Sequence, residues 1–206
     1  MAFSKYKNIG QVQEEFGISL QEQSFIPAAF VEPAEAFVQE FQFTLRTIPI
    51  FSEGARTETI IFPILREIYK DYSEYFTLWI EKSMSYNSQL SGTPDYILAP
   101  KSPLGKTVFT KPLVAMVEAK KNDFEVGWGQ CLAELVAAQK INDDENFTVY
   151  GIVTDGTSWQ IGMLEKALFT QNNATYVIND LPSLFGALHF VFRTIQMALA
   201  TSPLRP

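Results

Sequence analysis

Residues 113–117, LVAMV, form a short continuous apolar run that closes on Glu118, Ala119, Lys120 and Lys121. Continuous rather than alternating hydrophobicity predicts a central strand covered on both faces, here 113–119. Side chains at i and i+2 share a face, so Glu118 and Lys120 project together and Ala119 points the other way. A charged end on such a strand calls for a chemical reason.

The rest of the chain arranges itself around that strand. Residues 1–50 read as a mainly helical extension, with Phe37, Phe41, Leu45 and Ile48 at helical spacing after Pro33, although Phe41, Phe43 and Leu45 also alternate. Ser52 is a predicted N-cap for a helix through Tyr72, divided or kinked by Pro63. Ile61, Leu65, Ile68 and Tyr72 give that helix its apolar stripe, and Glu58 extends the same side toward its start. Strands are predicted at 76–83, 96–99, 113–119, 147–154 and 158–164, with a last one at 174–180. Helices are predicted at about 128–141 and 182–200. Asp155–Gly156 between two apolar runs is a hairpin signal. This order implies an α/β single domain, a mixed central sheet with helices on both faces.

Composition narrows the function classes. The chain has 206 residues, 47% of them hydrophobic, with 17 Phe, enough for a substantial core. Single Cys131 and single His189 exclude an internal disulfide, a thiolate zinc cage and a multi-histidine metal site. Arg193 and Gln196 interrupt the apolar C-terminal segment, and no signal peptide is recognised, so a cytoplasmic protein without membrane contact is expected. The net charge of −7 argues against non-specific adhesion to nucleic acid. Residues 101–121 run against that balance: Lys101, Lys106, Lys111, Lys120 and Lys121 face only Glu118. Such a cluster suits phosphate, with Lys106, Lys111 and Lys121 as substrate contacts. Solubilising an exposed hairpin is the equal alternative for Lys101, Lys106 and Lys111.

Asp95 follows Gly92–Thr93–Pro94 and opens the apolar YILA run. Neighbouring strands lie about 4.8 Å apart, so Asp95 and Glu118 on adjacent strands could share a cation. Two carboxylates, the backbone carbonyl of Ala119 and waters suit Mg²⁺, with Mn²⁺ as substitute. Lys120 would then stabilise a phosphoryl transition state or help to position and deprotonate water. On the following helix Gln130, Glu134, Ala137 and Ile141 share one side, which would bring Gln130 toward the strand ends.

GTPDYIL followed by LVAMVEAKK resembles the PD-(D/E)XK nuclease-like superfamily, the restriction-endonuclease-like fold. Pro94–Asp95 stands for its first motif and Glu118–Ala119–Lys120 for its second, and the similarity spans about residues 52–165. The resemblance implies a metal-dependent nuclease with Asp95 and Glu118 on the metal, Lys120 catalytic, and Glu58 and Gln130 assisting. Nucleic acid is the implied partner, DNA ahead of RNA, and the Phe-rich N-terminal region offers a homodimer interface. Each residue also has a plain reading. Asp95 could begin a strand, Glu118–Lys120 could be a surface ion pair, Glu58 could serve a helix dipole beside Arg56, and Gln130 could be a surface residue. A non-catalytic module that keeps the fold and binds nucleic acid or protein is the alternative function.

Overall fold

The computed structural model describes residues 2–120 and 123–201. A short helical turn at Phe3–Lys5 leads into α1 (Ile9–Phe16), β1 (Ser19–Glu22) and α2 (Glu35–Thr47). Then come α3 (Glu53–Arg56), a π-helical segment (Thr57–Ile61) and α4 (Phe62–Lys70), followed by β2 (Phe76–Ile80), the small hairpin β3 (Met84–Ser85) and β4 (Ser91–Gly92), and β5 (Tyr96–Pro100). The remainder is β6 (Ala115–Ala119), α5 (Phe124–Asn142), β7 (Val149–Thr154), β8 (Ser158–Glu165), β9 (Leu168–Gln171), β10 (Tyr176–Val177) and α6 (Leu181–Thr201).

Eight strands form one mixed sheet in the order β1-β9-β8-β7-β6-β5-β2, with β10 also paired to β8. β5 runs antiparallel to both of its neighbours, β2 and β6, and β6 runs parallel to β7 through the α5 crossover. All five residues of β6 are buried, as a central strand with two covered faces requires. Ala115, Val117 and Ala119 join the core under α4 and α6. Met116 joins the opposite core under α1 and α5. By the period of two, Glu118 and Lys120 therefore face α5. The α/β architecture with helices on both faces is as expected from the sequence.

The boundaries differ in instructive places. The N-terminal extension is not all helix: β1 pairs in parallel with β9 at the sheet edge. Its four residues, SLQE, are all exposed, so no burial pattern marked them as a strand. The predicted last strand shrinks to Tyr176–Val177 followed by a 3₁₀ turn, while β9 supplies a strand that was not predicted. Helix α5 starts at Phe124, four residues early, because the Asp123 side chain caps it by accepting the Val126 N–H at 3.0 Å. Pro63 stands where the π segment gives way to α4, and the backbone stays right-handed helical through Ile61 and Phe62, so the helix changes type there without a break. α6 is long and apolar enough to cross a membrane, yet Leu184, Phe185, Leu188, Val191 and Phe192 pack into the sheet core.

Candidate active site at the ends of two strands

Continuing the β5–β6 register by one residue sets Asp95 opposite Glu118. β5 proper begins at Tyr96, so the last β6 amide on that side needs another acceptor. Asp95 Oδ2 supplies it, accepting the Ala119 N–H at 2.7 Å. On the other side of β6, Lys120 N–H donates to the Thr154 carbonyl at 2.9 Å. Asp95 thus completes a sheet ladder and holds a carboxylate at the strand end at the same time.

Glu118 is 1% exposed and its Oε1 lies 2.8 Å from Lys120 Nζ. Lys120 also lies 4.0 Å from Glu53 Oε1 at the start of α3. The lysine stem is pinned by α5: a Cβ on Gly127 would stand 2.6 Å from Val153 Cγ1 and 3.3 Å from Lys120 Cγ. Glycine at 127 is what lets the helix start settle against the site.

Glu134 is the residue that sequence reasoning passed over as a site member. It is fully buried, and neither carboxylate oxygen has a hydrogen-bond donor among the described residues; nor does Glu118 Oε2. Glu118 and Glu134 lie close enough for the charge of Glu118 to act on Glu134. The available signal was its place one turn beyond Gln130, on a helix side that is otherwise small or apolar. A carboxylate costs most there, so its presence asks for a role.

Electrostatics follows from this crowding. Burial, then the Asp95 charge, pushes the Glu118 carboxyl up to about 7 despite the opposing Lys120 ammonium. Burial and the neighbouring Glu118 and Asp95 hold Glu134 well above the usual carboxylate range. Asp95 is also raised, chiefly by burial, with the Ala119 N–H and Lys120 pulling the other way. Burial alone would lower Lys120, but Glu118, Glu53 and Asp95 together raise it, so it remains a cation at neutral pH.

Asp95, Glu118 and Lys120 therefore converge. Gln130 lies one helical turn after Gly127 and one before Glu134, half-buried, with no hydrogen bond to the three among the described residues. Glu58 is a correction: it is exposed, and it lines a groove of about 250 Å³ with Phe62 and Arg66 instead of continuing the buried side. The π segment Thr57–Ile61 breaks the spacing on which that placement relied, and Glu53 is the acidic residue that reaches Lys120. Lys106 and Lys111 are exposed in the 101–114 connection, which joins the ends of β5 and β6 remote from Asp95. They make no ion pair with the site. Lys121 lies outside the described residues.

Among the described residues, no group of three or more His, Cys, Asp and Glu side chains is arranged to hold a metal ion. The donors do fit a hydrated Mg²⁺, which needs only one or two protein carboxylates. Glu118 Oε2 is without a donor, and Asp95 commits one oxygen to Ala119. Compared with known proteins, the chain matches no family model and no curated sequence.

Proposed function

We propose that this protein is a divalent-metal-dependent nuclease on a restriction-endonuclease-like core, hydrolysing phosphodiester bonds of nucleic acid. The observation that carries the reading is the convergence of Asp95, Glu118 and Lys120, drawn from two strands, at one sheet end. The unit α4–β2–β5–β6–α5–β7 carries them in the order that the resemblance implies. Asp95 and Glu118, with the Ala119 carbonyl, would hold Mg²⁺ or Mn²⁺. When bound, the ion acidifies a water and offsets charge on the leaving oxygen.

Lys120 takes a narrower role than its position alone suggests. Its ammonium, held 2.8 Å from Glu118 Oε1, is placed to stabilise the charged phosphoryl oxygens. Gly127 and Glu118 fix its stem and its head. Glu53, half exposed at 4.0 Å, is placed to share its proton donors with substrate.

Incubation with single- and double-stranded DNA and RNA, with and without Mg²⁺ or Mn²⁺, tests the proposal. Metal-dependent cleavage that disappears in Asp95→Asn and Lys120→Ala is expected. Failure to cut any of these substrates, or cutting that both variants retain, overturns it. Metal-independent binding without cutting would favour a non-catalytic module.

A further inference from the structure

Between Lys82 and Val117 the only acidic residue is Asp95, while Lys82, Lys101, Lys106 and Lys111 all fall in this stretch. In a chain of net charge −7 this is a long departure, and the fold gives it a place. Its first part is the β3–β4 hairpin, which both leaves and re-enters the sheet at the Asp95 end. Glu81 N–H donates to the Asp95 carbonyl at 2.9 Å, so Lys82 follows directly on the backbone partner of Asp95.

The second part, the 101–114 connection, starts at the far end of β5 but folds back. The Phe109 ring packs edge-on against Trp79 of β2, with ring centroids 5.2 Å apart. Lys82 Nζ sits over both rings, at 5.4 Å from Trp79 and 6.0 Å from Phe109. The aromatic pair thus joins the hairpin to the connection and holds an ammonium that no carboxylate neutralises among the described residues. The hairpin tip is exposed and uncharged. Asn87 Oδ1 rigidifies it by accepting the Gln89 and Leu90 N–H groups at 2.9 and 2.8 Å, and Tyr86 is 52% exposed.

We infer that the hairpin and the 101–114 connection form the docking track for a nucleic-acid strand, with Lys82 contacting phosphate beside Asp95 and Tyr86 offering a base-stacking face. The inference rests on the nuclease reading for its substrate class, and on charge complementarity for its location. A cation held on an aromatic pair supplies the phosphate contact, and an exposed ring stacks on any base. A track of this kind lets an acidic protein bind a polyanion on one face while the remaining surface repels it.

The test is fluorescence anisotropy of the full chain with labelled single-stranded and duplex oligonucleotides, under chelation so that nothing is cut. Lys82→Ala should weaken binding severalfold and lower the slope of log affinity against log salt by about one. Lys82→Glu should weaken it further. Tyr86→Ala, at the exposed tip, should cost single strands more than duplexes. Lys140→Ala, on the far end of α5, should change neither. Circular dichroism verifies that each variant is folded, and Tyr86→Ala decides the matter should both Lys82 variants fail to fold. Lys82 and Tyr86 variants that bind like the unaltered chain, a loss matched by Lys140→Ala, or no binding by the unaltered chain overturns the inference. Cleavage that ignores Lys82 and Tyr86 would sink the track and leave the nuclease reading standing. Binding that depends on them without any cleavage would do the reverse.

Discussion

Two acidic clusters sit side by side at the same end of the parallel pair β6–β7, and they are finished differently. At the β7–β8 turn, Asp155 is fully employed: Oδ1 accepts the Thr157 and Ser158 N–H groups at 2.9 and 2.8 Å, and Oδ2 lies 3.7 Å from Arg56 Nη1. Arg56 also donates to the Asp155 carbonyl at 3.0 Å, tying α3 to the turn. Next door, Glu118 and Glu134 bury three carboxylate oxygens that find no donor among the described residues. The first arrangement is what a carboxylate does when it serves the fold. The second carries the desolvation cost of buried carboxylates without the donors that would offset it.

The comparison breaks most visibly on activity. Lys120→Ala removes the one cation paired with Glu118 among the described residues, and on the proposed mechanism it lowers kcat by about 10²–10³-fold, the loss seen when one transition-state donor is removed. Arg56→Ala should leave kcat unchanged and cost about 1 kcal/mol of stability in a denaturant titration, since its partner Asp155 keeps two backbone donors. Equal kinetic effects of the two changes would erase the distinction between the clusters.

Stability against pH is the next test. Glu118 and Glu134 have folded pKa values raised above their unfolded ones, so their contribution is complete below about pH 4.5 and is lost as pH rises through the folded values. For Glu118, rising from 4.5 to about 7, the loss is about 3 kcal/mol. Without divalent metal, melting between pH 5 and pH 8 should show this decline, and Glu134→Gln should flatten it. Arg56→Ala should shift the curve down without changing its shape.

A bound cation should reverse the decline, because it favours the ionised carboxylates. Mg²⁺ or Mn²⁺ at a hundred times its dissociation constant would add about 2.7 kcal/mol, and the rise in Tm should be larger at pH 8 than at pH 6. Asp95→Asn should abolish it, while Arg56→Ala should retain it. A Tm indifferent to metal at both pH values counts against cation binding between Asp95 and Glu118.

The comparison also explains what could be read from the chain beforehand. The buried strand β6, the strand β5 and the Asp155–Gly156 turn were legible because each rests on a local pattern: a continuous apolar run, a proline-set start, a glycine at φ +89°. Glu118 and Lys120 were legible as a pair because a period of two puts them on one face, and Asp95 because it follows the Gly92–Thr93–Pro94 turn. β1 was not, since an exposed edge strand is recruited by its partner β9 and needs no hydrophobic pattern of its own. Glu134 was visible on its helix side but not as a member of the site. Its meaning depends on Glu118 lying across the helix–sheet packing, a tertiary fact.

Glu53 and Glu58 supply the smallest and most pointed contrast. Extrapolating an α-helical period back from Ile61 selects Glu58, but the π segment intervenes, and Glu53 is the residue 4.0 Å from Lys120. Glu53 is 49% exposed by side chain, so solvent screens its pull on the lysine. Glu53→Gln should therefore change kcat by less than about tenfold, with the larger effect at low salt, where screening is weakest. Glu58→Gln should be silent in the same assay, because its exposed side chain lines the groove beside α2 and makes no ion pair with Lys120 among the described residues. If Glu58→Gln impaired cleavage and Glu53→Gln did not, the helical spacing would have been the better guide, and the π segment would have to revert to regular α-helix when substrate binds.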